Sequence, residues 1–403
     1  MKLFFLVSLL SLPFFGLAQN ITISGKASDR ETGEPLEFAS VWIKGKAIGT
    51  ITNSQGEFDF HLPAEFRNEM FTVSMLGYKS FEAPVWTVIE NASQNIQLEK
   101  SATLLEEIVV RDSLNGGDIL QIALSRVELN FPQEPFLLEG FYRDIKKVGA
   151  TYISLLEAAV KIYDEDYKEP RNKSRLKERV RLIEVRKSLG YESKFTKYFA
   201  QDNLLEELLL NNNIRYAQIG NDEDFLDSVF REDDSYYDGH EIYVVTRTSD
   251  FTLKVFIDKE DYSIIHLEQE LTPATPDFFD KKKSLGGKFT GLKKSLDFRK
   301  FNGKMFLNFI SMTSTESWYD IKTGKLEFET ELFQQLLINK IYTNPKETIG
   351  TTEKMRNYGL QYQDLPYNKK FWDEYNVIKE SPLDKQILAD LEKLAPLEKQ
   401  FEN

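Results

Sequence analysis

The chain has 403 residues, 41% hydrophobic and 29% charged, with 51 basic against 64 acidic side chains for a net charge of −13. These proportions exclude a disordered or collagen-like chain, and the acidic balance argues against nucleic acid or an anionic membrane surface as partner. With no cysteine there is no disulfide framework, no thiolate chemistry and no cysteine-borne lipid.

The first element is an export signal. Lys2 supplies a positive start, and Leu3 to Leu12 is an apolar run shorter than the roughly 20 residues of a membrane-spanning helix. Pro13 breaks it, and Gly16 and Ala18 put small residues before a cleavage site, so 1–18 reads as a signal peptide. No other stretch has the apolar length of a transmembrane helix. The expected destination is the periplasm or an outer-membrane-associated position.

Residues 19–100 read as seven short strands without a helix, a β-sandwich. Ile21 and Ile23, Val41 and Ile43, Phe58 and Phe60, Phe71 and Val73, and Ile96 and Leu98 alternate with polar residues, and Gly33, Pro35, Gly56 and Gly77 punctuate them. The segments Asp29 to Pro35 (DRETGEP), Phe38-Ala-Ser-Val-Trp-Ile43, Thr52-Asn-Ser-Gln-Gly-Glu-Phe58 and Leu76-Gly-Tyr-Lys79 resemble the carboxypeptidase regulatory-like domain, a transthyretin-like sandwich. The resemblance implies a module that accompanies enzymes and outer-membrane receptors without itself being catalytic. Leu104-Leu-Glu-Glu-Ile-Val-Val110, in a linker over 101–117, resembles the segment that follows this module in TonB-dependent receptors. The 293 residues after Val110 are too few for a plug and a barrel of about 22 strands.

Residues 118–403 are expected to form an α+β domain, a large antiparallel, half-barrel-like sheet with covering helices and a C-terminal helix. Asp118 is the expected N-cap of a helix running to about Asn130. Strands follow from Phe136 to Tyr163, turning at Lys147-Val-Gly149, then near Val180 to Val185. After a short helix over Leu204 to Leu210, strands run from Ile242 to about Tyr342, with turns at Asn302-Gly303 and Thr323-Gly324. The sheet is similar to half-barrels that carry lipoproteins or lipids. Gly140-Phe-Tyr-Arg143 together with Phe371-Trp-Asp-Glu-Tyr-Asn376 resembles a family of uncharacterised exported proteins carrying the same module. At the end, Ser381, Pro382 and Asp384 open a helix whose Leu383, Ile387, Leu391 and Leu394 line one face, and Pro396 ends or bends it.

Catalytic patterns are missing. A zinc carboxypeptidase needs two ligands at H-x-x-E spacing and a distant His. The three histidines do not provide it: His61 is followed by Glu65, His240 by Glu241 and His266 by Glu268. There is no G-x-S-x-G elbow, and Gly286-Gly287-Lys288 reads as a hairpin turn rather than a phosphate loop. The acidic stretch Asp222-Glu-Asp224, Glu232-Asp-Asp234 and Asp238 reads as a solvated loop. It fails the EF-hand pattern because Tyr236 and Val245 stand at ligand positions. Lys281 to Lys283, Lys288, Lys293 and Lys294 read as solvent-facing sheet lysines.

The expectation is therefore a non-enzymatic cell-envelope binding or docking protein, with no catalytic, cofactor or metal residue and an envelope protein, glycan or lipid as partner. A carboxylate-based envelope hydrolase, or an accessory of TonB-dependent uptake with an outer-membrane receptor as partner, is the alternative.

Overall fold

The structure, a computed structural model, describes residues 20–90, 93–101, 113–192, 194–199, 203–274, 278–282, 284–355, 359–379 and 382–402. The signal-peptide segment and Leu104 to Val110 lie outside them, as does Ser381 with its capping role.

Seven strands make the N-terminal sandwich: β1 (Asn20–Asp29), β2 (Ser40–Ile43), β3 (Gly49–Ile51), β4 (Glu57–Pro63), β5 (Met70–Ser74), β6 (Phe81–Pro84) and β7 (Gln94–Leu98). They form the sheets β4-β1-β7 and β3-β2-β5-β6. Ile23, Phe58, Phe60 and Leu62 from the first sheet meet Val41, Ile43, Phe71 and Val73 from the second in one core. The expectation of no helix is corrected. Pro63 and Pro84, both at φ −59°, each end a strand and start a helical turn, Ala64–Asn68 and Val85–Val88. The motif residues hold the turns. Asp29 accepts from the Glu31 and Thr32 amides at 2.8 and 3.0 Å and from the Tyr78 hydroxyl at 2.9 Å. The Thr32 amide above all keeps its carboxyl well below the usual carboxylate range. Gly56 has φ +73°, and a Cβ there would sit 2.2 Å from the Ala27 carbonyl oxygen.

The second part is one sheet built from β8 (Phe136–Val148), β9 (Thr151–Asp164), β10 (Arg179–Lys187), β11 (Phe230–Arg231), β12 (Ser235–Tyr237), β13 (His240–Thr248), β14 (Thr252–Asp258), β15 (Ile264–Leu271), β16 (Phe278–Lys282), β17 (Leu285–Phe301), β18 (Lys304–Asp320) and β19 (Leu326–Thr343). The order is β10-β9-β8-β19-β18-β17-β15-β14-β13-β11, with β12 on β13 and β16 on β17. Neighbours are antiparallel throughout, and β8 pairs with β19 from Val148↔Thr330 to Phe136↔Thr343.

Alternation gives the sheet two buried faces. On the first, Leu138, Tyr142, Leu156, Val160, Ile310, Leu336 and Ile338 pack against the helices Gly116–Ser125 and Leu204–Leu210 through Ile119, Leu120, Leu205 and Leu208. This face is filled by the chain's own helices. On the second face, Phe141, Ala159, Phe309 and Leu337 take the sandwich residues Phe38 and Ile51 and the tail residues Trp372, Tyr375 and Ile378.

Several local expectations are corrected. Asn115, not Asp118, is the N-cap: its side chain accepts from the Asp118 amide and Asp118 returns the bond, so Gly116 and Gly117 join the first turn. Gly286-Gly287-Lys288 lies inside β17, where Gly287 faces Trp318; a Cβ there would meet the indole at 2.9 Å. Lys294 does not face water. It is 6% exposed, and Asn211 is its hydrogen-bond partner at 3.3 Å. The acidic stretch is not a free loop either. Asp222 caps the helix Glu223–Asp227, Asp234 pairs with Arg231 and Lys259, and Glu232 pairs with Lys254. The C-terminal helix stops at Leu391, leaving Leu394 67% exposed, while Pro396 caps a second helix, Leu397–Phe401.

Candidate functional site

The second face of the sheet is only partly covered, and the gap is a cleft of about 380 Å³. Its floor follows from strand register. Arg143, Gln335 and Ser311 stand side by side across β8, β19 and β18, and Ile145, Phe333 and Thr313 form the next row. The sandwich supplies one wall through Glu37, Phe38 and Asn53, and the tail supplies the other through Ile378, Lys379 and Ile387. A volume of this size suits a small ligand, and the lining mixes aromatic surface with a few polar groups.

Two devices hold the walls. Phe38 sits at φ +60°, a left-handed conformation that costs a non-glycine residue about 1–3 kcal/mol, and its ring lies 4.9 Å from that of Phe309. On the opposite wall the two motif halves separated by more than two hundred residues meet. The Tyr375 hydroxyl donates to the Gly140 carbonyl at 3.0 Å, Trp372 stands edge-on to Phe141 at 6.4 Å, and Arg143 donates to the Ile378 carbonyl at 3.2 Å. Asn376 continues the edge of the sandwich, accepting from the His61 amide at 2.7 Å and donating to the His61 carbonyl at 2.9 Å.

The electrostatics of the cleft are balanced. Buried Glu157 sits between Arg143, at 2.6 Å, and Arg186, at 2.5 Å. Burial alone would raise its carboxyl, yet the two guanidiniums bring it below its ordinary value. Lys379 pairs with Asp59 at 3.0 Å, and Lys147 lies 3.8 Å from Glu331. Glu37 is pushed up by burial. Ser311, Thr313 and Gln335 present hydroxyls and an amide to the cavity.

A wider groove of about 690 Å³ runs along the β10 edge beneath the segment Gln361 to Tyr367, with Lys187 and Asp364 paired across it at 2.6 Å. The histidines lie apart from both cavities. His61 bonds Thr22 at 2.9 Å, and burial lowers its pKa. His266 would likewise be lowered by burial, but Asp297 at 2.7 Å and Glu268 at 3.1 Å push it up to about 10. His240 Nδ1 is 2.9 Å from Asp258 and 3.2 Å from Glu260, a grouping able to hold a metal ion. Sequence spacing missed it because these ligands converge across the β13–β14 hairpin, where Ile242 faces Asp258. Arg299 lines the same cavity, which sets a cation beside any metal there.

The paired acids expected of a hydrolase have a buried counterpart. Burial, then the neighbouring Glu178, push Asp164 up to about 7. Arg215, 2.9 Å from Asp164, fills the space between them, and neither acid lines the cleft or the groove.

A family model described as CarboxypepD_reg-like domain matches residues 23–110. The N-terminal sandwich is a carboxypeptidase regulatory-like domain. The TonB-dependent receptor SusC of Bacteroides thetaiotaomicron is 36% identical over 108 residues, 27% of this chain. The chain spans about 10% of the length of that curated relative. Among solved structures, a LolA superfamily protein from Nitrosomonas europaea is 12% identical over 61% of this chain and 100% of that one, with a TM-score of 0.23. Lipovitellin is 10% identical over 58% of this chain and 28% of that one, with a TM-score of 0.25. Neither likeness bears on fold or function. Among the described residues no helix is long and apolar enough to cross a membrane.

Proposed function

We propose that this is a non-catalytic binding protein of the cell envelope, with the carboxypeptidase regulatory-like domain as its docking module and the three-walled cleft as its ligand site. The cleft lining carries the reading. Phe38, Tyr152 and Phe333 offer apolar faces while Ser311, Thr313 and Gln335 offer hydrogen bonds, and Arg143, Lys147, Glu331 and Lys379 around them already have opposite partners. Such a lining suits a neutral ligand with apolar and hydroxyl faces, a glycan segment, better than a fatty chain. The leader-like Met1 to Gln19 and the module's likeness to an outer-membrane receptor support the envelope setting. Affinity capture from envelope extract tests this. The wild-type protein is expected to retain glycan, and a Phe333→Ala, Gln335→Ala variant to lose it. Equal retention by both would remove the cleft from consideration, and retention of peptide alone would replace the ligand class.

A second reading has its own support. Glu37 and Glu331 both line the cleft, Glu37 at its exposed rim, where partial desolvation raises its carboxyl in the direction a general acid requires. Turnover of a glycan panel, abolished by Glu37→Gln or Glu331→Gln, would make this a hydrolase. The relative's name adds a third, an accessory of receptor-mediated uptake. Crosslinking in intact cells that captures a receptor or an energy-coupling protein would favour it.

A further inference from the structure

Arg299 is buried on β17, 6% exposed, where the sandwich meets the sheet. It is wedged against β3: a Cβ on Gly49 would lie 2.5 Å from Nη1. Nη1 reaches the Ile48 carbonyl only at 3.5 Å, and the guanidinium carbon lies 6.0 Å from the centre of the Trp42 ring. Nε and Nη2 are buried without a hydrogen-bond partner. Among the described residues no carboxylate oxygen lies within 4.0 Å of the guanidinium. Burial lowers its pKa to about 10, so it stays charged at neutral pH. A buried cation with no counter-ion is among the costliest arrangements a fold can hold.

The two free donors belong to the same edge of the guanidinium, the fork that matches the two oxygens of a carboxylate. Arg299 lines a cavity of about 70 Å³ together with Trp42, Tyr237, His240, Ser263 and Lys300. The side chains of His240 and Lys300 are 41% and 42% exposed, which gives the cavity a route to solvent. Asp238 and Asp258 also line it, but each is engaged elsewhere, with Ser80 at 3.2 Å and with His240 at 2.9 Å. At about 30 Å³ per water, the space is on the scale of two waters, too small for a sugar or a fatty acid.

We propose that Arg299 forms an anion site between sandwich and sheet that takes a small free carboxylate, of the size of formate or acetate, bidentate on Nε and Nη2. The site is separate from the cleft and stands or falls independently of it. Occupying it supplies the missing counter-ion at the contact between the two parts of the chain, so binding stabilises the folded protein by mass action.

Thermal unfolding of the full chain at pH 7 and constant ionic strength, with sodium formate replacing sodium fluoride, tests the proposal. The wild-type midpoint is expected to rise with formate and to saturate. Arg299→Met should lose the formate-dependent rise while being no less stable than wild type in fluoride, because it removes an unpaired charge. Arg299→Lys keeps a charge but not the fork, and its half-saturating formate should be at least tenfold higher. Should the Met variant fail to fold, calorimetric titration of the wild type decides: saturable one-site heat with formate and none with benzoate supports the site. Identical wild-type midpoints in the two salts, a formate shift that survives in Arg299→Met, or benzoate binding as tightly as formate would each overturn it.

Discussion

Replacing Asn376 by Ala separates the contribution of the tail from that of the sheet. β4 is an edge strand of the sandwich, and the Asn376 amide pairs with both backbone groups of His61, at 2.7 and 2.9 Å. The residue is 5% exposed, and its own carbonyl accepts from the Asn339 side chain at 2.7 Å, a backbone bond the substitution spares. Removing the side chain deletes two hydrogen bonds worth about 0.5–1.5 kcal/mol each and leaves two backbone groups poorly solvated, so the loss should be about 2–3 kcal/mol. For a chain of this size that corresponds to a fall in melting temperature of roughly 2–4 °C. Scanning calorimetry should show the fall, and limited proteolysis should show the tail from residue 368 onward cut faster than in wild type. Asn376→Asp should be as damaging, since it keeps the acceptor for His61 N–H but turns a carboxylate oxygen towards the His61 carbonyl. A change under about 0.5 kcal/mol for both variants, at the level of an ordinary surface substitution, would show that the tail does not clasp the sandwich.

Three further outcomes follow from buried charge. Burial holds the Lys294 ammonium down to about 8, so wild-type stability should gain a component that rises between pH 8 and about 10.5, where only the unfolded chain keeps this proton. Lys294→Met should abolish that rise and be neutral or stabilising at pH 7, checked by urea melts across the range. His266 acts in the opposite sense: with its pKa pushed up to about 10 by Asp297 and Glu268, its contribution is complete below about 6.5 and is lost as pH climbs through 10. The His266→Gln minus wild-type difference should therefore shrink with pH. Glu157→Gln should cost about 3–5 kcal/mol in a urea melt, because it leaves Arg143 and Arg186 buried beside a neutral amide.

Local order was legible in this chain, and long-range order was not. The turns at Gly33, Gly56, Asn302-Gly303 and Thr323-Gly324 follow from residues that tolerate positive φ, and all four places show it. The strand pairs on either side of Lys147-Val-Gly149 and Asn302-Gly303 were readable because alternation and turn chemistry agree there. The β8–β19 pairing was not readable, since nothing local links Phe136 to Thr343. The cleft depends on that pairing, because its floor rows run across β8, β19 and β18. Period-two alternation along β17 does not say which face is wet, so Lys294 and Arg299 could not be told from ordinary surface cations. Asn376 reads as a polar tail residue until its partner, a backbone edge in another part of the chain, is known.

Binding without turnover has a simple readout. A purified glycan captured by the wild-type protein can be incubated with it for many hours, released by denaturation, and weighed by mass spectrometry. A cleft that binds without cutting should return the glycan at its starting mass, with stoichiometric binding lost in the Phe333→Ala, Gln335→Ala variant. Shortened glycan that accumulates with wild type and vanishes with Glu37→Gln would contradict it.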